Sequence, residues 1–172
     1  MILVTGAAGL NGSTVVREFS WRGVPVRALV RDRSKASGIA GLPHVQVVEG
    51  DMSRGETLGP ALAAVNRVLM ISSSVPQMVD TQCRFIDVRK AAGIAHVVKF
   101  SGRESGIGFN AKNFCFTRMH EEIERYLEAS GVAWTHLRPS QFMQVYLREV
   151  PSSKGVIALP YARTSPRSLS PS

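Results

Sequence analysis

Apolar residues along this chain come in short clusters separated by polar and turn-forming residues, and two periods alternate between them. Residues 2–5, 26–30, 45–48, 68–72, 96–100 and 134–137 are short, mainly apolar runs bounded by polar or turn residues, and each reads as a buried strand. The segments between them carry the helical period. Leu58, Ala61, Leu62 and Val65 fall at i, i+3, i+4 and i+7, one face of a helix. A second helical pattern runs from about residue 113 to Ser130, with Gly131 placed to cap its C-terminus. Strands that are apolar on both faces must be covered on both, and strand–helix alternation brings successive strands parallel. The fold class is therefore α/β, a doubly wound parallel sheet, with no internal repeat or linker before residue 150.

Length and composition agree with one globular domain: 172 residues, 44% apolar and 20% charged. No apolar run approaches the roughly 20 residues needed to span a bilayer, and no basic and apolar leader precedes the first strand. The expectation is a cytoplasmic protein without a membrane partner. The formal net charge of +8 raises the question of nucleic acid, but the basic residues are scattered from Arg17 to Arg167 without a run or interleaved aromatics. That distribution fits solvated surface charge plus an anionic small ligand, not a nucleic-acid partner. Cys83 and Cys115 form no C-x-x-C pair, and His44, His96 and His136 have no carboxylate or cysteine at ligand spacing, so no metal site is expected. Ser101 and Ser140 lack the G-x-S-x-G surroundings of a hydrolase nucleophile.

The anionic ligand has an obvious place. The N-terminal "VTGAAGLNG" sets Gly6, Gly9 and Gly12 three apart, between the first strand and the first helix, with Ala8, Leu10 and Asn11 filling the loop. In that context the glycines serve a tight turn, close approach of backbone N–H groups to a pyrophosphate, and close helix–strand packing, and the helix N-terminus adds positive potential. The second strand ends in "RALVRDRSK", where Arg31, Arg33 and Lys35 offer donors to a 2′-phosphate, favouring NADP(H) over NAD(H). Asp32 keeps a ribose-binding NAD site open, and an ordinary solvated loop is the plainer alternative.

Taken together, "TGAAGLNG", "VRALVRDRSK", "VVEGDMS", "VLMISSS", "HVVKFSG" and "EASGVAWTHLRPSQFMQ" resemble the NmrA-like group of atypical short-chain dehydrogenases, most of all its NAD(P)H:quinone oxidoreductases. The resemblance covers residues 1–150 and implies an NAD(P)-binding Rossmann domain. It also implies that Asp51 and Met52 flank the adenine, that Ser72 and Ser73 lie along the cofactor, and that Ser101 and Gly102 lie near the nicotinamide. Pro139 would then close over the nicotinamide side. Turn and cap chemistry is the competing explanation for Asp51, the serines and Pro139.

Departures from the wider superfamily narrow the chemistry. Where a standard short-chain dehydrogenase carries Tyr-x-x-x-Lys, this chain has Phe116 and His120. Phenylalanine gives no proton, which argues against alcohol dehydrogenation by the usual route. Phe116, His120, Ile123 and Leu127 share one helical face, so His120 reads either as a packed core residue or, by resemblance, as the catalytic group of a quinone reductase. Two functions follow. One is an NADPH-dependent reductase acting on a small quinone-like substrate. The other is a non-catalytic dinucleotide sensor that binds a protein partner, as the regulatory members of the group imply; a homodimer is compatible with either. Residues 151–172 are expected to be a remnant of a substrate region and a tail. From Tyr161 apolar periodicity disappears and no acidic residue occurs, so disorder and a C-terminally truncated member of the group are expected.

Overall fold

The strand pattern closes into one sheet in the computed structural model, which describes residues 1–102 and 114–139. Among the described residues, β1 (Ile2–Val4), β2 (Val26–Val30), β3 (Val45–Glu49), β4 (Arg67–Met70), β5 (His96–Phe100) and β6 (Ala133–Leu137) run parallel in the order β3-β2-β1-β4-β5-β6. The register sets Ile2 beside both Val26 and Arg67, and Val97 beside both Val68 and Trp134. The chain winds outward from β1 to β3, returns to β4 on the other side of β1, and winds outward again, which is the doubly wound topology expected.

Alternation along each strand sorts side chains between two cores. Leu3, Leu29, Val68, Met70 and Val97 join one apolar cluster with Leu58, Phe85, Ile86, Ile123 and Leu127, contributed by the turn around α2 (Gly59–Leu62) and by α3 (Met78–Ala91) and α4 (Cys115–Ala129). Val4, Ala28, Val30, Leu69 and Ile71 face the other cluster, closed by Val16 of α1 (Leu10–Trp21) together with Ala36 and Ile39. Helix α4 ends with Ser130 as its cap, and Gly131 follows at φ +75°, the left-handed conformation its position predicts.

Two expectations need correction. The helix through Leu58, Ala61, Leu62 and Val65 is only one turn, Gly59–Leu62, because Ala63 turns extended and Ala64 adopts φ +57°. The four apolar side chains are still buried. What ends the turn is Arg27 of β2, whose buried guanidinium donates to the carbonyls of Pro60 (3.1 Å), Ala61 (3.0 Å) and Ala63, consuming acceptors at the end of the turn. Second, β6 forms but is not buried: Trp134 and Leu137 are each 44% exposed, since no described strand or helix lies beyond this edge. Helix α3, for which the sequence offered no clear pattern, has a long inward stripe of Met78, Gln82, Phe85, Ile86 and Arg89, all buried, in which polar side chains at two positions hide the apolar period. Arg89 reaches across to the Ser130 hydroxyl (2.7 Å), tying α3 to the end of α4.

Among the described residues no helix is long and apolar enough to cross a membrane, and no cluster of three or more His, Cys, Asp or Glu side chains is placed to hold a metal. Cys83 and Cys115 are free thiols, and burial pushes that of Cys83 up to about 11.

Candidate functional site

The return from β3 to β4 leaves β1 and β4 adjacent while their following segments diverge, and a crevice opens at their C-terminal ends. Thr5 clamps this point: its hydroxyl donates to the Ile71 carbonyl at 2.7 Å and accepts from the Ile71 N–H at 2.8 Å. Gly6 then turns at φ +58°, and a Cβ there would lie 2.8 Å from the Ile71 carbonyl oxygen. At Gly12, the first member of the buried stripe of α1, a Cβ would stand 2.2 Å from the Gly6 carbonyl oxygen. The loop and helix therefore touch backbone to backbone. No side chain caps the N-terminus of α1 and its first turn holds no acidic residue, leaving the helix dipole and its N–H groups facing the crevice for an anion.

The crevice, of about 620 Å³, brings together most of the residues singled out in the sequence: Gly6, Ala8, Gly9, Leu10, Asn11, Gly12, Arg31, Lys35, Met52, Ser72 and Ser73 line it. Arg33, Asp51, Ser101, Gly102, His120 and Pro139 are not among its lining residues. Arg33 turns away, donating to the Val47 carbonyl of β3 at 3.0 Å. Asp51 holds a turn: one carboxylate oxygen accepts from the Ser53 N–H at 2.9 Å and the Ser53 hydroxyl at 2.7 Å. Burial opposes its ionisation, but those bonds, with Arg31 nearby, hold its carboxyl below the usual range. Asp32 also lines the crevice, yet its carboxylate caps the following 3₁₀ turn through the Ser34 N–H (2.9 Å) and hydroxyl (2.6 Å), which lower its pKa.

Sequence reasoning missed the wall contributed by α3. Met78 and Thr81 line the crevice, and Gln82 donates to the Ser72 hydroxyl at 2.7 Å, holding that serine from behind. Once the α3 period was obscured, no signal pointed to them.

One strand further along the sheet, the C-terminal end of β5 carries a second polar group. Lys99 is fully buried, and its Nζ lies 3.0 Å from Nδ1 of His120 on α4. The imidazole edge packs over Gly102, where a Cβ would sit 3.0 Å from Cδ2 and 3.2 Å from Nε2. Burial, reinforced by the Lys99 charge, lowers the His120 pKa to about 4, and burial lowers that of Lys99 to about 8. Below this pair Glu124 accepts two hydrogen bonds from Arg138, at 2.9 and 2.7 Å. Burial opposes the charge on Glu124, but Arg138 outweighs it and the carboxyl falls to about 2. Ser101 is buried, its N–H donating to the Leu137 carbonyl at 2.7 Å, and half-buried Pro139 follows Arg138. Lys99 was not anticipated, although a lysine inside the apolar run "HVVKF" was its signal.

Phe116 departs from expectation. Ile123 and Leu127 are fully buried on the shared face of α4 and His120 is half-buried, but Phe116 is 39% exposed. His120 already lies level with Gly102, past the end of β5, so a residue one turn earlier has no described strand beneath it.

Known proteins match this arrangement of loop and sheet. A family described as NAD(P)H-binding matches residues 6–155. The chain belongs to that NAD(P)H-binding family. It is 36% identical over 145 residues to an NAD(P)H azoreductase of Xenophilus azovorans, covering 84% of this chain and 49% of the azoreductase. It is 32% identical over 157 residues to quinone oxidoreductase 2 of Escherichia coli K12, covering 89% and 53%. The structure superimposes on that of an NADPH-dependent quinone oxidoreductase from Escherichia coli complexed with NADPH with a TM-score of 0.74, at 31% identity over 86% of this chain and 51% of that one. An NmrA structure shares the fold, at 20% identity and a TM-score of 0.66. The chain thus spans about half the length of the relatives it matches.

Proposed function

We propose that the chain holds NADPH in the crevice between β1 and β4 and forms the cofactor-binding part of a reductase for quinone-like acceptors. The observation that carries this reading is the Gly6–Gly12 loop, packed backbone to backbone at the switch point under an uncapped helix N-terminus. Gly9 and the first turn of α1 would receive the pyrophosphate, Met52 the adenine side, and Ser72 and Ser73 the middle of the cofactor. Arg31 and Lys35 stand at the end of β2 to receive a 2′-phosphate; Asp32, engaged as a cap, is the weaker alternative partner for a ribose. When bound, the nicotinamide supplies a hydride. His120 and Gly102 stand where β5 ends, the position from which a side chain can serve the acceptor oxygen. The reductases among the relatives support an enzyme over a purely sensing role.

The test measures NADPH binding and NADPH consumption with a benzoquinone on one sample. Tight binding with quinone-dependent turnover is expected; absence of NADPH binding would sink the reading.

A further inference from the structure

Lys99 is an expensive residue to bury, and the fold gives it an unusual partner. Its side chain is fully enclosed, and among the described residues no carboxylate lies within ion-pair distance; what it meets is the Nδ1 of His120 at 3.0 Å. From α3 the nearby titratable group is Cys83, from α4 Glu124, and Glu124 is engaged by Arg138. An ammonium has donors only, so in this contact Nδ1 is the acceptor and the ring proton belongs on Nε2. That nitrogen lies on the edge facing the Gly102 backbone, where the missing Cβ keeps it clear. We propose that Lys99 is a positioning residue that fixes the tautomer of His120, so that the imidazole presents Nε2–H as a neutral proton donor at the end of β5.

The role in turnover rests on the reductase reading above. An acceptor oxygen made basic by reduction with the nicotinamide cofactor takes the Nε2 proton: the Nε2–H bond breaks and an O–H bond forms. Nδ1 takes a proton from the Lys99 ammonium in exchange, so the ring stays neutral and Lys99 is left as the amine. When product leaves, solvent reprotonates Nε2 and the relay runs back to Lys99. The low pKa of His120 agrees with a ring that works without becoming an imidazolium.

The decisive measurement is independent of activity: ¹⁵N NMR of the imidazoles in the full chain, with the His120 signals assigned by their loss in His120→Asn. The Nε2–H tautomer is expected from pH 7 down to pH 5, where Lys99 is an ammonium; an Nδ1–H tautomer in that range in the unmutated protein overturns the proposal, whether or not any variant folds. In Lys99→Met the tautomer bias should disappear and the His120 midpoint should rise by about one pH unit or more, as the neighbouring positive charge is removed. An unchanged tautomer and midpoint in a folded Lys99→Met would equally overturn it. With a benzoquinone, Lys99→Met should lower kcat at least about tenfold while NADPH affinity stays within about twofold. No turnover in the unmutated protein counts against the reductase reading alone, while the imidazole spectrum still decides the role of Lys99.

Discussion

Arg31 stands on the crevice wall with Asp51 close enough to feel its charge, whereas Arg33, two residues on, is held by a carbonyl of β3. The two arginines should therefore behave differently. If Arg31 grips a 2′-phosphate through charge-assisted hydrogen bonds of about 1.5–3 kcal/mol each, NADPH binds at least about tenfold tighter than NADH, and Arg31→Ala removes most of the difference. Arg33→Ala should leave it in place. Calorimetric titration with both cofactors checks this, and equal affinities in the unmutated protein would reverse the assignment. His120→Ala should lower quinone-dependent turnover at least about tenfold with NADPH still bound; unchanged turnover would make the histidine a packing residue. Phe116, at 39% exposed, is no core anchor. Phe116→Ala should cost about 1 kcal/mol by urea unfolding, well below the roughly 3–5 kcal/mol of a buried ring.

At the scale of elements, two contacts hold the crevice in shape. The α1–loop contact leaves no room at Gly12: the 2.2 Å approach of a Cβ to the Gly6 carbonyl involves backbone on both sides, so no rotamer relieves it. Gly12→Ala should cost about 1–3 kcal/mol in folding stability and weaken NADPH binding as the helix start is pushed off the loop, both measurable by thermal shift with and without cofactor. The turn around α2 depends in the same way on Arg27. Arg27→Met keeps an unbranched apolar stem but leaves the carbonyls of Pro60, Ala61 and Ala63 without their donor, so urea unfolding should show a loss of about 2–3 kcal/mol.

For the whole molecule, the buried charges at the end of β5 predict how stability responds to pH. His120 falls to about 4 from an ordinary 6.5, so between those values the unfolded chain binds more protons than the folded one. Stability therefore declines as pH drops from 6.5 to 4. Glu124, lowered from 4.5 to about 2, contributes stability above 4.5 that is lost as pH falls through 2. Lys99, lowered from 10.5 to about 8, acts over an alkaline window: its burial penalty is full below 8 and is relieved as pH rises to 10.5. Thermal melts at matched ionic strength should show the decline from 6.5 to 4 flattened in His120→Asn. An identical decline in that variant would place the acid-sensitive group elsewhere.

Legibility followed the range of the forces involved. Strand alternation, the parallel sheet and the glycine loop were readable because burial on two faces, a tight turn and a helix start impose local rules on adjacent residues. The end of α4 was readable for the same reason, since Gly131 marks it on its own. What lay out of reach depended on residues distant in the chain. Arg27 shortens the α2 helix from 33 to 36 residues away, Arg33 is drawn off by β3, and Phe116 is exposed because β5 ends beneath His120. The polar stripe of α3 hid a wall of the crevice until Gln82 met Ser72. By itself the sequence determined the order of strands and helices, the strand end that carries the glycine cradle, and the chemistry of the residues offered there. Only the tertiary structure decided which of those residues share the crevice and that Lys99 meets His120, because a lysine on β5 and a histidine on α4 become neighbours only when the helix packs across the strand.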